Sequence, residues 1–241
     1  MGSEDDHSYD FNFWPAFADL MLCLILILLL VIGGTYFSSI NIRSIQDKQK
    51  QIGQSLATRD RAIKQVDGRT EILDRQGRTV YRLAVDANDP MLQTISFSDS
   101  LLFKENDFRL KAEGKDALMD VGKILEARLE DIAEIQIRGH ADTSPTMNYA
   151  DNLELASRRA NEVFRFLTQQ VRIDPSQHLV SATSFGEFAP VQRKRDALFD
   201  GTQLEKSNAT DVLRQANRRI ELVLFFRRPR LSHGPVGGKE K

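Results

Sequence analysis

The chain has 241 residues, of which 41% are hydrophobic, 28% are charged and 8% are aromatic. This composition fits one or two globular domains and excludes collagen, low-complexity disorder and a polytopic membrane protein. The 33 Lys and Arg residues nearly balance the 34 Asp and Glu residues, giving a formal net charge of -1, so no global positive field favours nucleic acid as a partner.

An apolar run lies near the N-terminus. Residues 20–32 read LMLCLILILLLVI, and Asp19 is the only charged residue in the 20 positions from 13 to 32. A helix of that length spans about 30 Å, the thickness of a bilayer core. A buried core helix would carry a polar stripe, and a cleaved signal peptide would follow a basic leader, whereas no Lys or Arg precedes this run. We therefore predict an N-terminal tail over 1–12 and a single transmembrane helix over 13–40.

Asp19 lies inside this predicted span, in the string WPAFADLM that begins at Trp14. An ionised carboxylate at membrane depth costs about 2.5–3.5 kcal/mol, so such a residue is expected to face protein or water and to be functional. A desolvated carboxyl group can take up a proton from one side and release it to the other as its surroundings change. The alternative is that Asp19 marks the interfacial edge of the membrane, where a carboxylate costs little.

A polar segment separates the span from the rest of the chain. Residues 41–78 are polar and charged without a sustained apolar stripe, which predicts a helical or partly flexible connector. A globular domain is predicted over 79–226, followed by a disordered tail over 227–241.

The globular segment alternates strand and helix patterns. β-Branched content and alternation predict strands over 79–85, 92–97, 132–140, 179–186 and 218–226. Helical periodicity predicts helices over 112–129 and 149–171, and residues 192–216 are predicted as a looped insertion. The expected fold class is α+β, with helices packed on one mixed sheet as an α/β sandwich. On the second helix we expect an apolar stripe to face the core, formed by Ala156, Ala160, Val163 and Leu167.

Four residues of this segment suggest a ligand site. Asn152, Leu155 and Arg159 are spaced i, i+3, i+7 and share one helix face, and Asp142 leaves a strand just before that helix. The N-terminus of the helix itself favours anions. This set fits a zwitterionic ligand, with Asp142 binding an ammonium and Arg159 a carboxylate through two hydrogen bonds. The alternative is a structural ion pair between Asp142 and Arg159.

Other chemistry is not expected from the sequence. The four histidines, His140 among them, have no metal-ligand spacing, and the single cysteine, Cys23, excludes an intrachain disulfide. There is no phosphate loop, dinucleotide fingerprint or nucleophile elbow, so we predict no enzyme activity, no metal and no cofactor. The short basic clusters at 193–195 and 227–230 are expected to be a solvated loop and tail and not a nucleic-acid site.

Four ordered motifs carry a family resemblance. They resemble the OmpA-like peptidoglycan-binding signature at IRGHAD (137–142), NLELASRRA (152–160), FGE with APV (185–191) and NRRIE (217–221). The resemblance implies that the ligand is peptidoglycan, through the zwitterionic diaminopimelate of its peptide stem. The residues it implies for binding are Asp142, Asn152, Leu155 and Arg159.

The chain departs from that family pattern in three places. The loop over 143–151 is about two residues longer than usual, Ala156 replaces the typical serine, and the insertion over 192–216 is long. These departures leave open how the ligand is held.

The predicted span and the globular domain, taken together, resemble a second class of proteins. A single span with Ala-Phe-Ala-Asp at 16–19, followed by an OmpA-like domain, resembles the MotB class of ion-driven stator subunits. The resemblance implies an inner-membrane motor in which a dimer of this chain sits inside five MotA-like polytopic subunits. Asp19 would carry the transported ion, H⁺ or Na⁺, with a proton expected.

Three features are similar to those of the ZorB branch of this class: the acidic N-terminus, the WPAFAD string and the compact length. The ZorB branch is found in Zorya anti-phage defence systems, where the polytopic partner is ZorA-like. The alternatives are a flagellar MotB-type stator subunit and a passive peptidoglycan-anchoring envelope protein.

The sequence gives conflicting signals about orientation. No Lys or Arg occurs before Arg43, and several follow the span, so the positive-inside rule favours a cytoplasmic C-terminal side. The resemblance implies a cytoplasmic N-terminus and a periplasmic C-terminal domain, because a cell-wall binder has no ligand in the cytoplasm. We follow the resemblance, since a polytopic partner can override a weak topogenic signal.

Overall fold

The structure is a computed structural model that describes residues 13–57, 62–66, 69–74, 76–194 and 198–228. The chain divides into two compact units, residues 1–43 and 44–241. A long helix, α1 (Trp14–Ala57), begins in the first unit and ends in the second. The predicted tail over 1–12 lies outside the described residues, as does the predicted C-terminal tail from residue 229 onward.

In the first unit, α1 is apolar and exposed. The leucine, isoleucine and valine side chains between residues 20 and 32 are all more than half exposed. An apolar surface of this size needs a covering, and the helix is long and apolar enough to cross a membrane. At its start the ring of Trp14 lies 5.2 Å from that of Phe13 and 6.0 Å from that of Phe17 between centroids. Such aromatic groups are typical of the membrane–water interface.

The second unit contains one seven-stranded sheet. Its strands are β1 (Ala62–Val66), β2 (Arg69–Leu73), β3 (Thr79–Val85), β4 (Leu92–Ser98), β5 (Ile132–His140), β6 (Leu179–Gly186) and β7 (Arg219–Phe226). They lie in the order β1-β2-β3-β4-β7-β5-β6, and all neighbours are antiparallel except β5 and β6. The predicted mixed sheet is therefore confirmed.

Helices cover the sheet. They are α2 (Asp99–Leu102), α3 (Ala112–Glu126), α4 (Asn152–Gln169), α5 (Gly201–Lys206) and α6 (Asp211–Asn217), with a short 3-10 helix at Leu129–Asp131. The core residues of β7 alternate along the strand and so share one face, on which α3 and α4 pack. The predicted stripe on α4 is confirmed, because Ala156, Ala160, Val163 and Leu167 are all fully buried.

The parallel pair β5 and β6 is joined through α4, as a crossover connection requires. Gly139 in β5 permits the close packing of α4, since a Cβ atom there would lie 2.2 Å from the Ala156 carbonyl oxygen. This close approach of α4 to β5 lies near the end of the strand, which Asp142 follows, and Asp142 lies beside the N-terminus of α4.

The segment predicted as a connector over 41–78 includes the end of α1, from Ser44 onward, and the strands β1 and β2, which belong to the second unit. Ile45, Ile52 and Leu56 of α1 are buried in the core of the sheet, and β1 and β2 extend the sheet. The Tyr81 hydroxyl donates a hydrogen bond to the Leu56 carbonyl (3.2 Å), and the Gln49 amide donates to the Pro90 carbonyl (2.9 Å). The described part of the predicted helical or partly flexible connector is thus helical up to Ala57 and contains two strands beyond it, and it contributes side chains to the core of the second unit.

The looped insertion over 192–216 is also corrected, because it contains α5 and α6. Asp200 caps α5 by accepting from the Gln203 amide (2.9 Å), and Thr210 caps α6 by accepting from the Leu213 amide (3.3 Å). Residues 195–197 of this insertion lie outside the described part of the chain.

Candidate functional site

One edge of the sheet gathers the ends of several elements. There β4 passes into α2, β5 ends, and β7 and α4 begin. The Asp99 backbone amide donates to the Arg218 carbonyl (3.1 Å), which ties the start of α2 to the residue before β7. These elements enclose a cavity of about 510 Å³. All four residues predicted for the site line it: Asp142, Asn152, Leu155 and Arg159.

Asp142 lies directly after β5 and is buried, with 3% of its surface exposed. Its carboxylate accepts hydrogen bonds from the Ser144 backbone amide and the Ser144 hydroxyl, both at 3.1 Å. It also forms an ion pair with Arg218. The carboxylate is therefore fixed in position at the cavity wall by groups on two segments.

Asn152 braces the loop that follows Asp142. Its amide nitrogen donates to the carbonyls of Asp142 (3.0 Å) and Ser144 (3.1 Å). The helix that carries it is capped by Asp151, whose carboxylate accepts from the Glu154 amide at 2.7 Å. Asn152 thus orients Asp142 through the backbone, and Leu155, one turn later, gives the cavity an apolar wall.

Arg159 is buried and held by several partners. Its side chain is 3% exposed, and its Nη1 atom lies 2.7 Å from Oδ1 of Asp99. Nε donates to the Asp107 carbonyl at 2.9 Å, and the guanidinium stands 5.1 Å from the Phe103 ring centroid. Three groups of the protein thus surround the fork that was predicted to hold a ligand carboxylate.

The predicted alternative, an ion pair between Asp142 and Arg159, is not what the structure shows. Each residue has a different partner: Asp142 pairs with Arg218, and Arg159 pairs with Asp99. The cavity therefore contains two ion pairs, and Arg218, with 39% of its side chain exposed, presents the more accessible guanidinium.

The sequence interpretation missed two of these four charged residues. Arg218 belongs to the NRRIE motif, which was assigned only to the closing strand, although a residue just before that strand lies at the same sheet edge. Asp99 follows β4 directly, so the reasoning that selected Asp142 after β5 applies to it equally.

Asn217, the neighbour of Arg218, holds the surrounding segments together. Its amide nitrogen donates to the Ser207 carbonyl and to the Asn208 side-chain oxygen, both at 2.9 Å, and its oxygen accepts from the Val191 amide at 2.9 Å. The buried Asn217 side chain therefore joins the insertion and the loop after β6 to the start of β7.

The Asp99 carboxyl is the cavity group whose ionisation is most affected by its surroundings. Burial raises the pKa of Asp99 to about 6, against the lowering effect of the Arg159 and Arg218 charges. In an unfolded chain the group titrates near 4. Between about pH 4 and pH 6 the folded protein therefore binds this proton more tightly than the unfolded chain does.

We expect the Asp99 contribution to stability to be present below about pH 4 and to be lost as the pH rises through about 6. An Asp99→Asn variant lacks this titration. Its melting temperature should therefore rise relative to that of the wild type as the pH increases from about 4 to about 6. Melting curves of both full-length proteins in detergent, recorded from pH 4 to pH 7.5, measure the difference. Parallel curves would contradict the assignment.

His140 lies beside the cavity in a separate buried cluster. Its ring stacks on Phe185 (centroids 5.2 Å apart), and its Nε2 atom lies 3.3 Å from Glu221. Burial lowers the pKa of His140. Burial raises the pKa of Glu221, but Arg219 and His140 outweigh it and hold that pKa well below its usual range. His140 therefore packs beneath the strand end that carries Asp142.

Asp19 lies in the first unit, on the exposed surface of α1. It is five residues after Trp14, or about 7.5 Å further along the helix axis. It precedes Cys23 by one helical turn, at the start of the apolar run of α1.

Comparison with known proteins gives three kinds of match. The OmpA family model matches residues 102–198. Zorya protein ZorB of Escherichia coli O139:H28 (strain E24377A / ETEC) is 29% identical over 221 residues, covering 89% of this chain and 80% of that protein.

Two solved structures share the fold. The periplasmic domain of Helicobacter pylori MotB has a TM-score of 0.50 at 20% identity, covering 66% of this chain and 88% of that domain. A MotB-like protein from Desulfovibrio vulgaris has a TM-score of 0.51 at 21% identity, covering 77% and 99%. Residues 102–198 thus match the OmpA family model, the chain shares the fold of these MotB-type structures, and it resembles ZorB along most of its length.

Proposed function

We propose that this protein is a peptidoglycan-anchored stator subunit of the inner membrane that translocates ions through Asp19 and serves anti-phage defence. The observation that carries the proposal is the resemblance to ZorB over 89% of this chain and 80% of that protein. The exposed apolar surface of α1 supports the membrane half, and the charged cavity supports the anchoring half.

The cavity suits a zwitterionic ligand end such as that of diaminopimelate. Asp142 binds the ammonium group, because its carboxylate is fixed at the cavity wall by Ser144 and Arg218. Arg218 binds the carboxylate with its accessible guanidinium. Arg159 supports the site through Asp99 and adds positive charge to the cavity, while Asn152 and Leu155 shape it.

The membrane half requires partners. A single helix has too little surface to enclose an ion path. Following the resemblance to the MotB class, we propose that a dimer of this chain is surrounded by five MotA-like or ZorA-like polytopic subunits. Protonation and release at Asp19 then couple proton flow to movement between the two kinds of subunit. A charge moving through the membrane potential gains about 2.3 kcal/mol per 100 mV.

This role requires a cytoplasmic N-terminus and a periplasmic OmpA domain. The basic residues after the span oppose that orientation by the positive-inside rule, and insertion together with the polytopic partner overrides them. Labelling of single cysteines introduced at position 3 and at position 153 in intact cells, in a Cys23→Ser background, should modify the second site alone. Labelling of the first site alone would contradict the orientation.

Retention on purified peptidoglycan tests the anchoring half. We expect Asp142→Ala and Arg218→Ala to lose most of the binding of the wild-type protein, because each removes one of the two charges that contact the ligand. Arg158→Ala is the matched control, since Arg158 lies on α4 beside the site but is 51% exposed and pairs with Glu154. Equal retention of the wild type, Asp142→Ala and Arg218→Ala would remove the proposed site.

The neighbouring genes distinguish a role in defence from a role in motility. A MotA-like gene beside a helicase or nuclease gene supports the defence role. A MotA-like gene beside chemotaxis or flagellar genes would support a flagellar MotB-type subunit instead.

A further inference from the structure

A second cavity, of about 580 Å³, lies next to the first. The two have three lining residues in common: Ser100, Lys111 and Arg218. Each volume lies within the range of small-ligand sites, about 300–1,000 Å³. A ligand longer than one amino acid can therefore occupy both cavities and pass over these three shared residues.

The second cavity is lined by more cationic than acidic side chains, and most of these cations are paired. Its lining contains five cationic side chains, namely Arg78, Arg82, Lys111, Arg218 and Arg219, but two acidic ones, Asp74 and Glu113. Arg78, Arg82 and Arg219 are paired with carboxylates of the protein. The remaining cation in the second cavity besides Arg218 is Lys111.

Lys111 is partly buried at the junction of the two cavities. Its ammonium donates to the Ser100 carbonyl at 2.6 Å, and among the described residues no carboxylate lies within ion-pairing distance of it. An ammonium has three donors, so Lys111 can still bind an acceptor from a ligand. An anionic group passing between the cavities meets Lys111 and Arg218 together.

The insertion supplies one wall of the second cavity. Val212, Gln215 and Ala216 of α6 line it, and none of them lines the first cavity. Asn217, the last residue of α6, donates to the Ser207 carbonyl and the Asn208 side chain, and so joins the end of α6 to the turn between α5 and α6. The segment that lengthens this chain relative to the family pattern therefore builds the space beside the site.

We propose that the second cavity binds a further carboxylate of the peptide stem whose zwitterionic end occupies the first cavity. Lys111, with Arg218 beside it at the junction, recognises that carboxylate, and α6 forms one wall of the cavity. The inference rests on the proposed peptidoglycan binding and extends it from a single residue to a peptide segment.

Charge changes at Gln215 test this inference, because the side chain is exposed on α6 and lines the second cavity alone. The probes are free diaminopimelate and a soluble stem tripeptide that ends in diaminopimelate and carries an additional glutamate carboxylate. Gln215→Glu should weaken tripeptide binding by about 2- to 5-fold, and Gln215→Lys should strengthen it similarly, as expected for a partly exposed charge pair. Neither should change the binding of diaminopimelate.

Gln169→Glu in the full-length protein is the control for net charge, since Gln169 is exposed at the end of α4 and lines neither cavity. Wild-type binding of the tripeptide without a response to either Gln215 change would overturn this inference alone. Equal shifts for both probes would also overturn it, because the charge would then act on the first cavity. Failure of the wild type to bind either probe would contradict the proposed function itself.

Discussion

Asp19→Asn should abolish ion translocation while leaving peptidoglycan retention unchanged. Asparagine has nearly the shape of aspartate but cannot take up and release a proton, so the carrier step is lost. The helix itself should remain, because removal of a charge from an apolar span lowers the cost of insertion by up to about 2.5–3.5 kcal/mol. The measurement is proton flux in membrane vesicles that contain the full-length chain and its polytopic partner.

Cys23→Ala is the matched control, since Cys23 lies one helical turn beyond Asp19 in the same exposed span. It should conduct as the wild type does. If Asp19→Asn also conducts fully and supports defence, the carrier role is wrong and a passive anchor is the better interpretation. A passive anchor would respond to changes at Asp142 or Arg218 but not to changes at Asp19.

Arg159→Ala should destabilise the OmpA domain by about 3–5 kcal/mol, the usual effect of removing one partner from a buried ion pair. The Arg159 side chain is 3% exposed and that of Asp99 is 12% exposed, so the change leaves a buried carboxylate without its cation. The carbonyls of Asp107 and Lys104 lose a donor as well. A loss of this size corresponds to a fall in melting temperature of about 10 °C.

Arg158→Ala provides the comparison on the adjacent position of α4, where the side chain is exposed and the change should have little effect on melting. The double variant Arg159→Ala, Asp99→Ala should be less destabilised than the sum of its single changes, because the carboxylate that was left unpaired is gone. Similar melting of Arg159→Ala and Arg158→Ala would show that the buried pair does not stabilise the domain.

The strand pattern made much of the sheet predictable. β3, β5 and β6 have the predicted bounds, because their apolar alternation is bounded by turn residues on both sides. Predicted helices ran longer than observed: α4 begins at Asn152 because Asp151 caps it, whereas the polar positions before it fit a helical pattern equally well.

The part of α1 that belongs to the second unit could not be recognised in the same way. Its buried positions, Ile45, Gln49, Ile52 and Leu56, recur every three or four residues, but one of the four is a glutamine. Because the residues around it are polar, this narrow stripe does not give a clear amphipathic pattern, and it is recognised only from the tertiary contacts. Strand β1 is also largely exposed and has little apolar signal.

The candidate site was predictable as a location but not as a set of pairs. Helical spacing brought Asn152, Leu155 and Arg159 onto one face, and the strand end added Asp142. Spacing does not tell which acid meets which base, because Asp99 and Arg218 approach from elements distant in sequence. In the proposed function Arg159 therefore supports the site, and Arg218 contacts the ligand carboxylate.

The hydrogen bonds of Asn217 have a consequence for cooperativity. The Asn217 side chain is hydrogen-bonded both to the insertion and to the loop after β6. Opening of either segment therefore breaks a buried hydrogen bond of the side chain that the other segment also binds. The two segments should therefore behave as one opening unit, and Arg218, the next residue, moves with them. We therefore expect a ligand bound at Arg218 to slow the opening of both segments and to protect the amides of α5, which lines neither cavity.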